Sequence, residues 1–167
     1  MIELMVAVAT TVVLLGLTAP PLSDFIVRNQ VASSQSSLVS SLAFARSEAA
    51  RRGTTVFVVA AAGGSTGNEY ANGWDVYADN NADGVYGSAD APSLRHYEAL
   101  PSKVILQGGL QVAFGADGYL APAAAMTFRV CQAAANSQGY LVTLPPSGIA
   151  DTFGFRVSGV AGCASSA

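Results

Sequence analysis

The side chains best suited to chemistry sit close together in one short run. Asp79, Asn81 and Asp83 alternate along a stretch that ends in Gly84, with Val85 next and Asp90 at the twelfth position. Oxygen ligands on alternate residues, a glycine for a sharp turn, a carbonyl at the seventh position and an acid at the twelfth form the pattern of a calcium loop. Asp90 stands where a bidentate Glu is usual, Gly87 brings no side chain to the ninth position, and no helical pattern flanks the run. The same residues also read as an Asx-rich turn of the kind that forms with no metal. The expectation is no cofactor, with calcium at Asp79, Asn81, Asp83, Val85 and Asp90 as the candidate exception. Elsewhere the chemistry is thin. His96 is the only histidine, so a histidine metal cluster cannot be built, and its neighbours Arg95 and Tyr97 suggest a strand surface position and not the base of a Ser-His-Asp triad. The serines between 33 and 41 read as a polar helix face. Neither a phosphate loop nor a dinucleotide fingerprint is present, and no enzyme is expected.

The element that must carry the rest is at the start. Residues 4–23 are 20 consecutive residues without a charge, rich in Val, Leu and Ala, between Glu3 and Asp24. At about 1.5 Å per residue such a helix spans the roughly 30 Å apolar core of a bilayer. Pro20 and Pro21 each remove a backbone donor and should kink or locally melt it. The periodicity continues beyond them: Val27, Val31, Leu38, Leu42, Ala45 and Ala49 draw one apolar stripe at helical spacing. Glu48 is placed for i,i+3 and i,i+4 pairs with Arg51 and Arg52, and Gly53 suits a C-cap. The helix is expected to be on the order of 75–80 Å long, apolar all round in its first half and on one side in its second.

From Gly53 onward the pattern changes to short β-branched or alternating runs broken by turn signals. Strands are expected at 54–60, 74–78, 94–100, 103–106, 110–114, 126–131, 140–144 and 153–158. The fold class is α+β: a long N-terminal helix packed on a C-terminal antiparallel β-sheet domain. Its parts are residues 1–23 as a transmembrane half, 24–53 as an amphipathic half and 54–167 as a globular domain. Beyond residue 53, Arg95, Lys103, Arg129 and Arg156 face eight carboxylates, a net charge of −4. A domain of that sign has no general attraction for phosphate.

The segment Ile2-Glu3-Leu4-Met5-Val6-Ala7-Val8-Ala9 resembles the start of type IV pilins and type II secretion pseudopilins, whose mature chains begin Phe-Thr-Leu-Ile-Glu-Leu. Ser41-Leu42-Ala43-Phe44-Ala45-Arg46-Ser47-Glu48-Ala49 with Arg52-Gly53, then Asn72-Gly73-Trp74, is similar to the GspH/FimT branch of minor pilins. The likeness covers roughly the first 80 residues, and more loosely 114–118 and the last strand. Met1 stands where that pattern has Leu, so the natural chain is expected to begin upstream with a leader.

The resemblance implies a minor pilin or pseudopilin, a structural subunit that initiates or caps a type IV pilus or a type II secretion pseudopilus. It implies other minor and major pilins as partners through the helix, and Glu3 as the carboxylate that pairs with a neighbour's N-terminal amine. It further implies prepilin peptidase acting on the precursor. The location is then the bacterial inner membrane, single-pass, with the globular domain in the periplasm, or extracellular once assembled. For such an exported domain, Cys131 and Cys163 read as one disulfide, two buried free thiols being the alternative. The competing function is a DNA-uptake minor pilin. Some members of the branch bind DNA through Gly-Arg-x-Arg, and the aligned stretch here is Gly159-Val160-Ala161-Gly162, without either arginine. DNA is therefore not expected as a partner, and Arg129 and Arg156 are the residues that would carry it.

Overall fold

The computed structural model describes residues 2–134, 137–157 and 163, with side chains throughout except at 13–22. One helix, α1 (Ile2–Arg52), precedes eight strands. Of the kink or local melting expected at Pro20 and Pro21, melting does not occur: α1 stays helical through both positions. Two missing donors in one turn leave the turns on either side hydrogen-bonded. The side chains of both prolines lie outside the described residues. At the far end Gly53 takes φ +67°, and its N–H donates to the Ala49 carbonyl at 2.9 Å, which ends the helix as the glycine predicts.

The strands are β1 (Val56–Ala60), β2 (Trp74–Ala78), β3 (Arg95–Tyr97), β4 (Val104–Gln107), β5 (Gln111–Phe114), β6 (Met126–Gln132), β7 (Gln138–Leu144) and β8 (Asp151–Arg156). They form two antiparallel sheets, ordered β3-β2-β1-β5 and β4-β6-β7-β8. Two boundaries depart from the sequence expectation for one reason. β7 and β8 each begin two residues early, because the pairs Gln138↔Arg156 and Thr143↔Asp151 extend their shared ladder beyond the β-branched run. Conversely, β3 is three residues long, since the Leu100 N–H turns away to the Ala71 carbonyl.

Both sheets pack on one side of α1. Val31, Leu38, Leu42, Ala45 and Ala49 meet Val56, Val58, Trp74 and Val76 of the first sheet and Leu106, Phe128, Val130, Val142 and Leu144 of the second. The small residues Ala45 and Ala49 bring the helix backbone close to the sheets, and the larger ones fill the space between them. Gly73 is fixed by a close approach: at φ +85° any Cβ would collide with the Tyr97 carbonyl oxygen. That contact lets Tyr97 stack on Trp74 with ring centroids 5.0 Å apart.

Candidate functional site

Two surfaces of α1 differ in what they touch. Residues 2–12 are all exposed, with Ile2, Leu4, Met5, Val6, Val8 and Val12 each more than half accessible. The polar groups in this stretch satisfy themselves: the Thr10 hydroxyl donates to the Val6 carbonyl at 3.0 Å and the Thr11 hydroxyl to Ala7 at 2.7 Å. Such back-bonding removes the penalty of placing a hydroxyl in an apolar setting. Glu3 lies in the first turn and has no ion-pair partner among the described residues. Among the described residues no helical stretch is long and apolar enough to cross a membrane, and side chains 13–22 fall outside that description. Phe25 and Ile26 remain exposed at the end of this free half.

From Val27 the helix is docked. The six stripe residues named from the sequence are all buried, Leu38, Ala45 and Ala49 completely. The reading of residues 33–41 as a polar face needs correcting. Ser34 and Ser41 are buried too, because helical spacing places them beside the stripe. The Ser41 hydroxyl accepts from the Trp74 indole N–H at 2.9 Å and donates to the Leu38 carbonyl at 2.7 Å. A buried tryptophan N–H needs such an acceptor. A further polar contact between the helix and the domain runs from Arg46 Nε to the Gly118 carbonyl at 3.0 Å. On the outer side Glu48 pairs with Arg51 at 2.6 Å and Arg52 at 2.7 Å, as the spacing predicts. Hydrogen bonds from those guanidinium groups hold its carboxyl down at about 2.

The Asp79–Asp90 segment folds on itself. Asp79 accepts backbone N–H bonds from Asp83 at 3.2 Å and Gly84 at 2.8 Å. Asp83 accepts from the Val85 N–H at 2.8 Å and from the Asn81 side-chain amide at 2.6 Å. Asp90, fully buried, accepts from the N–H groups of Asn80 at 3.1 Å and Gly87 at 2.7 Å. Among the described residues no three carboxylate, histidine or cysteine side chains converge as a metal group would. Asp79, Asp83 and Asp90 each bind backbone, and Val85 is exposed. What this folding positions is Tyr86, whose ring meets Phe57 at 6.1 Å and Tyr77 at 4.9 Å. Desolvation there, with the hydrogen bond that the Tyr77 hydroxyl donates to Tyr86, pushes the Tyr77 hydroxyl up to about 12.

His96 sits on β3 opposite Asp75 of β2, with Nδ1 2.9 Å from the carboxylate, and that contact raises its pKa. Sequence spacing could not reveal this pair, which depends on strand register. Cys131 and Cys163 form a disulfide with Cα atoms 5.8 Å apart. Arg129 and Arg156 lie on opposite faces of the second sheet: Arg129 shares its face with Leu141 and Phe153, while Arg156 sits beside Gln138 on the helix-facing side. They do not form one basic surface. The stretch 159–162, where a DNA motif would align, lies outside the described residues, as does Met1.

An extended helix, half docked and half free, on an antiparallel sheet domain defines the pilin-like class of fold. The family description "Type II transport protein GspH" matches residues 34–148, well over half of the chain, and the chain belongs to that family. Two crystal structures of the Pseudomonas aeruginosa type IV minor pilin FimU, in space groups P21 and P65, share the fold. Their TM-scores are 0.62 and 0.59, at 22% and 21% identity. They cover 77% and 73% of this chain and 92% and 91% of their own. No curated protein matches the chain.

Proposed function

We propose that this chain is a minor pilin or pseudopilin, a structural subunit that enters a type IV pilus or type II secretion pseudopilus through its N-terminal helix. The observation that carries the reading is α1 itself. From Val27 to Ala49 it buries a stripe on its own sheets, while residues 2–12 expose apolar side chains on every side, which a lone protein in water does not sustain. Residues 1–23 serve as the membrane and filament segment, 24–53 as the docking segment and 54–167 as the periplasmic domain. The precursor is a substrate of prepilin peptidase, and the subunit caps or initiates assembly with other pilins.

Glu3 is the assembly residue in this reading. A carboxylate in an apolar bundle is stable only with a cationic partner, so it recruits a neighbour's N-terminal amine and fixes axial register. In membranes carrying the other pilins, Glu3→Ala inserts as well as wild type, because it removes a charge from an apolar segment. It recovers less of its partner pilins by co-purification. Equal recovery of partners with the variant and the wild type counts against the role of Glu3.

A further inference from the structure

The two sheets have four edges, and three are closed. On β4, the Leu106 N–H donates to Asn68 Oδ1 at 2.9 Å and its carbonyl accepts from the Tyr70 N–H. On β5, the Ala113 carbonyl accepts from the Ala121 N–H at 2.9 Å, and Phe114 bridges to Leu120. β3 is three residues long and carries Arg95 and His96. Natural sheets blunt their edges by covering, shortness or charge, and these three follow that rule.

β8 is longer, and its two charges, Asp151 and Arg156, stand only at its ends. It is six residues long, contains no proline or lysine, and exposes Phe153. The Val157 N–H donates to the Ser137 carbonyl at 2.9 Å, which sets the phase of the ladder. In an antiparallel pair hydrogen-bonded and non-hydrogen-bonded positions alternate. Phe153 and Phe155 therefore turn their backbone groups toward β7, and Thr152, Gly154 and Arg156 turn theirs outward. Among the described residues no backbone group bonds that outer side. A cavity of about 400 Å³ lies over the paired β7 and β8, lined by Gln138, Gly139, Tyr140, Gly154, Phe155 and Arg156. A Cβ on Gly154 would meet nothing within 4 Å, and Arg156 has no ion-pair partner among the described residues.

We infer that β8 is a strand-addition site, occupied by an extended segment of a neighbouring pilin-fold subunit. The incoming strand bonds the outward groups of Thr152, Gly154 and Arg156, and main-chain pairing supplies the affinity. Its specificity lies on the helix-facing side. A bulky side chain fills the space over Gly154 against Tyr140, and a carboxylate pairs with Arg156. A second copy of this chain joined β8 to β8 does not meet the requirement. The two-fold axis of that pairing is perpendicular to the sheet and sets the two α1 helices antiparallel, so their free halves could not enter one membrane. The source of the strand rests on the pilin reading above, since the shared filament holds the neighbour alongside.

The test is residue-resolved amide exchange on the full chain, in lipid alone and in the complex co-purified with its partner pilins. In the complex, the amides of Thr152, Gly154 and Arg156 are expected to exchange at least about tenfold more slowly than in the isolated chain, while those of Phe153 and Phe155 are slow in both. Gly154→Pro removes one outward N–H without touching the β7 ladder, a place where an edge strand tolerates proline. It should reduce partner recovery and leave the thermal midpoint of the isolated chain within a few degrees of wild type. Slow exchange of the outward amides in the isolated chain would mean that the chain covers its own edge, and overturns the inference. Fast exchange in a complex that does form overturns it too and leaves the pilin reading intact. A wild-type chain that recovers no pilin partner removes both.

Discussion

The two halves of α1 have the same backbone and opposite surroundings. From Val27 to Ala49 one side-chain stripe is buried against two sheets, and the exposed remainder is mostly polar. Over residues 2–12 every side chain is exposed, although the composition is far more apolar. Hydrophobicity alone therefore does not decide what a helix buries against its own domain; its distribution around the helix axis does. A stripe fits a sheet pair, whereas an apolar cylinder has no preferred side and suits lipid or other helices. The comparison separates residues that hold the fold from residues that the domain leaves uncovered.

The largest effect that would sharpen this contrast is on core volume. Leu42→Ala in the docked half should lower the unfolding free energy by about 2–5 kcal/mol, because Leu42 is buried and leaves a cavity. Val8→Ala in the free half should leave the thermal midpoint of the globular domain unchanged. If both variants melt alike, the division of α1 is wrong.

Next comes the disulfide, which acts on the domain and leaves the free helix alone. Replacing Cys131 and Cys163 with serine opens a link of 32 residues' separation. Chain-entropy arguments put the loss at about 3–4 kcal/mol. Denaturant unfolding under oxidising and reducing conditions measures it directly, and the helicity of α1 outside the domain should not change with it.

A smaller loss is expected at Asp90, whose buried carboxylate accepts two backbone N–H bonds. Asp90→Ala should destabilise by about 1–3 kcal/mol and release Tyr86 from Phe57, seen as a change in tyrosine fluorescence. If the carboxylates serve only the backbone, the thermal midpoint is the same in millimolar calcium as in chelator. A calcium-dependent rise that Asp83→Ala abolishes would instead restore the metal reading.

The smallest effects are electrostatic. The pKa of His96 is raised by Asp75, so this contact contributes fully below the ordinary histidine value of about 6.5 and fades as pH rises through the raised one. Glu48 has the opposite sign: its contribution is present above about 4.5 and is lost as pH falls toward about 2. Both pairs are solvent-screened, so the slopes should be shallow. Thermal midpoints across pH, with His96→Gln and Glu48→Gln flattening the respective limbs, would check both signs.

Much of this architecture is readable from residue spacing. The stripe from Val27 to Ala49 and the alternation in 74–78 are periodicities of helix and strand, and each appears where those periods place it. The Glu48 pairs follow from spacing within one element. What spacing cannot reach are contacts fixed by register or by distant chain. Spacing places Ser41 beside the stripe, but its polar partner there, the indole of Trp74 33 residues on, is set by the tertiary fold. Asp75 meets His96 because β2 and β3 pair in one register and no other. The Asp79–Asp90 run has ligand spacing, yet that spacing fits a turn as well as an ion, and backbone N–H groups occupy its oxygens. The open edge of β8 is visible only as a contrast with three closed ones.

The burial of the stripe along the whole docked half of α1 also makes this molecule a load-bearing joint. A pull along the helix axis loads Val27, Val31, Leu38, Leu42, Ala45 and Ala49 in shear, all at once, because they lie in a line parallel to the force. A pull across the axis would peel the same contacts one turn at a time. Tension delivered to the free half of α1 is thus carried by the entire interface together. Gly53, at the far end, connects that interface to β1.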